Sequence, residues 1–451
     1  MISRHFNSIL SDVPKYHRFL KIKEIEEVLE TFKKHSVVEE KIIGKTAENK
    51  PLKMFTLGSG QKTALIIGVP HSDEPLGSLV TTYFITWMLN HPEVNFFGWR
   101  WLIIPILEQR GMRLNEGWFS NHGSLIQTAK SYFREPTENQ YEWTFPFEYK
   151  NYKWLHPRPE SKAVKEVLKN EKPDLLCNLH HCGFYNTYFY FSKKLPKAYS
   201  ELRKLSNILG MPLSTSNPDV PFGKVLSPGF YQMYGLKDYV DYYKKYEPEK
   251  LLTMKRGASS DEWYQDKIGG FSFNCEVPIL KSLIKIDNNL TDFNILDLLK
   301  QRKQKRNNII QYCIKFLTEI EPFFSFSDPL ILNSVLKHVA NAKIALEFSD
   351  LTIQSSENRK ATNFEFYEND LMVDVEDLLL IGQLWRIADS IRHNQTKLVA
   401  KKFVSRLDKK LITLNKKIIQ RGGFVPLSLQ KLIRMQLGSI LIIADVLSTN
   451  S

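Results

Sequence analysis

The sequence predicts an α/β fold: a mixed, mostly parallel twisted sheet flanked by helices, followed by an all-α C-terminal domain. Three observations carry this. Short, continuously apolar stretches recur at 52–57, 63–69, 101–105, 175–179 and 271–275, the pattern of strands covered on both faces. Helical periodicity alternates with several of them, which argues for parallel connections through helices. After about residue 290 the strand signal fades, and Leu- and Ile-rich periodic segments run through 292–320, 329–348, 370–393, 399–420 and 428–447.

Taken in order, residues 22–35 place Ile22, Ile25, Val28, Leu29 and Phe32 on one stripe of a helix that needs a sheet to pack against. The strand at 63–69 is followed by a helix over 76–90. A second helix over 160–170, closed by Pro173, precedes the strand at 175–179. The helical tail is electrically two-sided: 397–434 hold eleven Lys or Arg against one acidic residue, whereas 321–396 hold six against twelve. The basic stretch reads as the solvated face of two helices, with anion docking as the alternative, and the helical domain as a whole offers a surface for a partner protein. The segment 355–362 is the most linker-like. The loss of strand signal comes earlier, so the expected division is an α/β domain at 1–320 and a helical domain at 321–451.

Composition narrows the class. At 451 residues, with 43% hydrophobic and 25% charged residues, the chain is neither disordered nor fibrous. Its net charge of +13 favours acidic partners, among them anionic substrates, nucleic acid and membrane surfaces, without choosing one. Four cysteines are too few for a disulfide framework and read as reduced thiols, which points to a cytoplasmic protein. The first ten residues lack the apolar core of a secretory signal, and the apolar stretches 63–69, 101–107 and 437–447 fall short of the ~20 residues that span a bilayer. No membrane partner is expected, and nucleic acid is disfavoured.

The chemistry lies at strand ends, where open α/β sheets bind their ligands. The strand at 63–69 runs into Pro70-His71-Ser72-Asp73-Glu74-Pro75, a His-x-x-Glu pair on a turn. Imidazole and carboxylate suit a borderline metal such as zinc, which in catalytic sites takes three protein ligands and keeps a position for water. Asp174-Leu-Leu-Cys-Asn-Leu-His180-His181-Cys182 again runs strand into turn and offers His180 as the third ligand, with His181 beside it as a substrate-facing group or a packed polar residue. Phe271-Ser-Phe-Asn-Cys-Glu276-Val-Pro278 ends a strand with a carboxylate able to take a proton from water.

In these residues the chain resembles the zinc carboxypeptidases of the A and B type over about 13–290. The resemblance begins at Tyr16-His17 and continues through Ile43-Gly-Lys-Thr46 and Lys50-Pro-Leu52. It then matches His71, Glu74 and His180 to the family's zinc ligands and Glu276 to its catalytic glutamate. Gln109-Arg110-Gly111 stands where the family usually has Pro-Asp-Gly, and Arg113 stands where it carries an active-site arginine. Gly257-Ala-Ser-Ser-Asp-Glu-Trp263 resembles its Gly-Ser-rich loop ending in Asp-Trp. The resemblance implies one Zn²⁺ per chain, a proton shuttle at Glu276 and oxyanion support from Arg113.

Two departures bear on the substrate. The family's Asp-x-Asn-Arg-x-Phe stretch, whose Asn and Arg hold the substrate's terminal carboxylate, aligns on Phe133 with Lys130 and Ser131 in those places, leaving Arg134 as the nearest cation. The mobile tyrosine expected near 254 is replaced by Met254, with Lys255 and Arg256 beside it. Asp261 falls where members that prefer basic side chains carry Asp. The expected activity is zinc-dependent hydrolysis of a C-terminal residue or amide bond of a peptide or peptide-like substrate. Its rivals are deacylation of a small N-acylated amino acid at the same zinc site, and a non-catalytic fold with a basic helical binding tail.

Overall fold

The computed structural model describes residues 2–216, 219–220, 222–246, 250–251, 254–347, 349–392 and 396–449. Residues 348 and 393, the expected ends of two tail helices, lie outside the described residues.

The apolar stretches form a mixed sheet, as their continuous hydrophobicity predicts. In chain order its strands are β1 (Val38–Lys45), β2 (Pro51–Leu57), β3 (Lys62–Ile67), β4 (Trp99–Ile104), β5 (Leu175–Asn178), β6 (His181–Gly183), β7 (Tyr188–Phe191), β8 (Val225–Ser227), β9 (Phe230–Gln232) and β10 (Phe271–Pro278). Their spatial order is β1-β2-β4-β3-β5-β10-β7-β9-β8, with β6 pairing β10. The centre is parallel: β3 lies between β4 and β5, and β5 pairs β10. The outer pairings β1 with β2, β2 with β4, β10 with β7 and β8 with β9 are antiparallel. All eight residues of β10 are buried, which its run Phe-Ser-Phe-Asn-Cys-Glu-Val-Pro does not announce residue by residue.

Helices α1 (Leu76–Asn90), α2 (Pro159–Glu171) and α3 (Pro196–Leu209) connect or cover these strands. α1 buries twelve of its fifteen residues, so it reads as nearly uniform apolarity rather than a stripe. The chain folds into two compact units. The first comprises Met1–Arg113, Thr137–Ile279 and Leu427–Ser451; the second comprises Leu114–Pro136 and Leu280–Pro426. In place of one expected cut near 320, the division is thus interleaved.

The cause is α4 (Leu429–Thr449), which packs in the first unit beside α1, α3 and β10. Leu432, Ile433, Met435, Leu437, Ile440 and Leu441 are all fully buried there, a surface too apolar for a peripheral helix. Among the described residues α4 is the one helix long and apolar enough to cross a membrane. Its 21 residues exceed the apolar half, 437–447, that the sequence singles out, and 67% of its most apolar window is buried.

The second unit is helical, as expected, with helices at Ile295–Ile320, Pro329–Glu347, Met372–Ser390 and Lys397–Gln420. The short helix Leu125–Ser131 packs against Met372–Ser390, where Gly382 permits the approach: a Cβ there would lie 2.2 Å from the Ala129 carbonyl oxygen.

Candidate active site

The first ligand turn is built by the end of β3. Gly68 N–H donates to Ile104 O (2.7 Å), and the Gly68 and Val69 carbonyls accept from Leu107 N (3.1 Å) and Glu108 N (3.1 Å). Val69 is held at φ 52°, a left-handed conformation costly for a β-branched residue, directly ahead of the turn that carries His71 and Glu74. The second ligand segment leaves the parallel neighbour β5 two residues after Asn178. Parallel pairing therefore brings His71, Glu74 and His180 to one edge of the sheet.

One donor atom from each of these three buried residues lies within 4.8 Å of the other two, a group that could hold a metal ion. His180 Nδ1 is 2.8 Å from Glu74 Oε2, and the two imidazole centroids are 5.0 Å apart. His71 Nδ1 is buried with no hydrogen-bond partner, a polar atom that folding leaves unsatisfied unless something else engages it. Two nitrogens and a carboxylate oxygen, with one nitrogen orphaned, fit a zinc ion.

Glu142 is the residue that sequence reasoning missed. Its carboxylate reaches both imidazoles from the other side, with Oε2 3.2 Å from His71 Nε2 and Oε1 3.3 Å from His180 Nε2. That pairing fixes which nitrogen of each ring faces the group's interior. Despite burial, the two histidines hold Glu142 below the ordinary carboxylate range. Glu142 and Glu74 in turn raise the His180 pKa well above normal against the opposing effect of burial. Glu142 sits in the aromatic run Tyr141-Glu142-Trp143, where nothing in the spacing marks it. Setting Glu142 in the Asp position of the Asp-x-Asn-Arg pattern puts Thr144 and Phe145 in the Asn and Arg places, so this register has no clamp either.

Glu276 emerges on β10 beside these groups and is 9% exposed. Burial pushes its carboxyl well above the ordinary range; His180 opposes this, while Glu74, Asp219 and Glu142 add to it. Across the ladder Glu276 pairs with Tyr188, so the two side chains share a face. The Tyr188 and Tyr190 hydroxyls both donate to Asp219 Oδ2, at 3.0 and 2.7 Å.

His181 braces the first turn, with Nε2 2.9 Å from Asp73 O and its backbone N–H 3.4 Å from Glu74 Oε2. Asp261 is 2% exposed, accepting at Oδ2 from Asn178 (3.0 Å) and Asn274 (3.5 Å), and burial pushes it up to about 7. The neighbouring Glu262 is buried as well. Glu262 caps the helix Leu236–Tyr246 by accepting from Leu236 N and Lys237 N at 2.8 and 3.1 Å. Arg113 is exposed in the last turn of the helix Gln109–Asn115, with no ion pair among the described residues. Arg110, of the Gln109-Arg110-Gly111 stretch, pairs with Glu48 at 3.5 Å. Arg134 belongs to the second unit, where its carbonyl accepts from Ser334. The cysteines are unbridged, and Cys177 and Cys275 are buried in the sheet.

Residues 25–283, more than half of the chain, match the zinc carboxypeptidase family, and the chain belongs to that family of zinc-dependent hydrolases. Among solved structures it is similar to a candidate metallopeptidase from Shewanella amazonensis at 14% identity and a TM-score of 0.40, over 57% of this chain and 84% of that one. It is similar also to bovine thrombin-activatable fibrinolysis inhibitor, solved with tick carboxypeptidase inhibitor (16% identity, TM-score 0.36, 58% and 87% covered). A metallo-carboxypeptidase from Burkholderia cenocepacia shares 14% identity at a TM-score of 0.35, with 57% and 60% covered. No curated protein matches the sequence. Membership rests on the family match.

Proposed function

We propose that this chain is a zinc-dependent peptidase that removes a C-terminal residue from, or cleaves an amide bond of, a peptide or peptide-like substrate. His71, Glu74 and His180 hold one zinc ion per chain. The single observation behind this reading is the convergence of those three donors with the buried Glu276 at one edge of the sheet, inside the segment that matches the family. Bound there, zinc supplies Lewis-acid polarisation of the scissile carbonyl and lowers the pKa of water.

Glu276 then takes the proton of the attacking water and passes it to the leaving amine, the task of a buried carboxyl whose pKa burial has raised above the ordinary range. Glu142 keeps both histidines oriented. Arg113 is the family's expected oxyanion support; from its exposed position it serves only by swinging its long side chain toward the carbonyl. The missing Asn-Arg pair favours a second reading, a deacylase acting on a small N-acylated amino acid through the same zinc and base. A cytoplasmic location fits the reduced cysteines of either reading.

The test separates metal from base. His71→Ala and His180→Ala should each lose stoichiometric zinc, whereas Glu276→Gln should keep it and lower kcat by roughly two or more orders of magnitude. Zinc content unchanged in both histidine variants, or full turnover in Glu276→Gln, defeats the proposal.

A further inference from the structure

The helix Lys397–Gln420 satisfies its apolar stripe within the second unit. Ala400, Val404, Leu407, Leu411, Leu414 and Ile418 are buried at alternating steps of four and three residues, and the helix packs on Met372–Ser390. Three further aliphatic side chains stand on the opposite face, where Leu398, Ile412 and Ile419 are 76%, 47% and 61% exposed. At about 100° per residue these three fall within roughly 60° of one another. Lys401, Lys402, Lys409 and Lys416, all exposed, lie among them, so lysines and aliphatics share one arc of about 100°.

The helix holds eight Lys or Arg and one acidic residue. That residue, Asp408, borders the arc and is taken by Lys130 at 2.6 Å. Two of the cations serve packing inside the unit: Arg406 pairs with Glu319 at 2.7 Å and lies over Phe316 and Phe403, and Lys410 lies 4.6 Å from the Tyr312 ring centroid. The four lysines of the arc, by contrast, meet no carboxylate among the described residues. A hollow of about 790 Å³ lies along the helix, lined by Tyr312, Leu398, Lys402 and Leu414 among others, with no carboxylate in its described wall. A nucleic-acid backbone or an acidic peptide answers the lysines but gains nothing from the aliphatic side chains between them. An acidic bilayer answers both: its headgroups meet the ammonium groups, and the aliphatic side chains enter the boundary between headgroups and acyl chains. The helix is a rod about 36 Å long that presents this arc lengthwise to such a surface.

We propose that the helix Lys397–Gln420 docks the protein on anionic membrane surfaces, with Lys401, Lys402, Lys409 and Lys416 paired to lipid headgroups and Leu398, Ile412 and Ile419 inserted between them. Contact of this kind needs no spanning segment, and it accords with a cytoplasmic chain meeting the acidic inner leaflet. It is independent of the metal chemistry.

The experiment sediments the full chain with vesicles of phosphatidylcholine alone and of phosphatidylcholine with one third phosphatidylserine, in dilute and in half-molar salt. Binding is expected on the acidic vesicles only, and should fall about tenfold or more at the higher salt. A lysine at an acidic surface is worth about a fivefold factor in affinity, so Lys409→Ala with Lys416→Ala should weaken binding roughly twentyfold. Leu398→Ser with Ile419→Ser should weaken it about tenfold or more, because two aliphatic side chains no longer leave water. Both pairs of substitutions lie on the exposed face and should leave the melting temperature unchanged. No sedimentation with acidic vesicles, equal sedimentation with neutral ones, or an affinity untouched by either pair overturns the assignment. A duplex oligonucleotide and a poly-glutamate peptide are titrated in parallel. Affinity for either that equals or exceeds that for acidic vesicles, and that ignores Leu398→Ser with Ile419→Ser, would give this face to a nucleic acid or an acidic protein and overturn the membrane assignment.

Discussion

The residue that most changes the picture of this site is Glu142. Its two oxygens face one nitrogen of each histidine at 3.2 and 3.3 Å, and it is 6% exposed, so its removal strands two buried ring nitrogens. Glu142→Ala should therefore weaken zinc about 10–100-fold, the usual cost of losing a group that orients metal ligands. Competition against a chelator of known affinity measures it, and unchanged affinity would show that the imidazoles are aligned without this carboxylate. His71, Glu74, His180 and Glu276 were legible because each ends a strand signal with a residue type that zinc hydrolysis needs. Glu142 was not, since it lies in an irregular stretch where no period or spacing ties it to chemistry. Asp261 shows the converse. Its position suggested a substrate contact; its carboxylate is buried in the first turn of the helix Ser260–Lys267, where Asn178 and Asn274 donate to it, a burial that a local Ser-Ser-Asp-Glu pattern conceals.

At the scale of elements, the two ligand segments are held by glycine. Gly77, the second residue of α1, sits against the end of β3: a Cβ there would lie 2.9 Å from both Gly68 Cα and Val69 N, and 3.0 Å from Leu179 Cβ. Those neighbours directly precede His71 and His180, and two of the three contacts are backbone, which cannot give way cheaply. Gly77→Ala should cost about 1–3 kcal/mol by overpacking and weaken zinc at the same time, because the inserted methyl wedges the two ligand segments apart. Thermal melting with and without zinc reads both effects; a variant with native melting temperature and zinc affinity would show that the turn tolerates the wedge. The strands, α1 and the order of β3, β4 and β5 follow from apolar runs alternating with helical periods. What that pattern cannot carry is contact geometry, since a glycine needed for close approach is indistinguishable in the sequence from one needed for a turn.

The molecule as a whole is divided in a way that local patterns could not reveal. Periodicity announces a helix near 428–447 but carries no address for it, and the nearest helical segments in sequence suggest a tail. α4 instead returns to the first unit and reaches the chemistry: Gln436 Nε2 donates to the His180 carbonyl and, at 3.3 Å, to that of Cys275, the residue before Glu276. Ser439 Oγ lies 3.6 Å from Cys275 Sγ, Trp99 Nε1 donates to Ser448 Oγ at 3.0 Å, and Arg434 Nε to Leu10 O at 2.6 Å. One buried amide thus ties together the backbones that present a proposed zinc ligand and the proposed base. Deleting 427–451 should consequently abolish cooperative melting and zinc binding rather than trim an appendage. Gln436→Leu keeps the apolar packing of α4 and isolates the polar link, since it removes the donor that two buried carbonyls share, a loss of about 1–3 kcal/mol. The expected signature is a lower melting temperature together with lowered kcat at intact zinc content, because the strand ends carrying His180 and Glu276 lose their common anchor. A truncated chain that still melts cooperatively with zinc bound would mean that α4 covers a unit already complete without it.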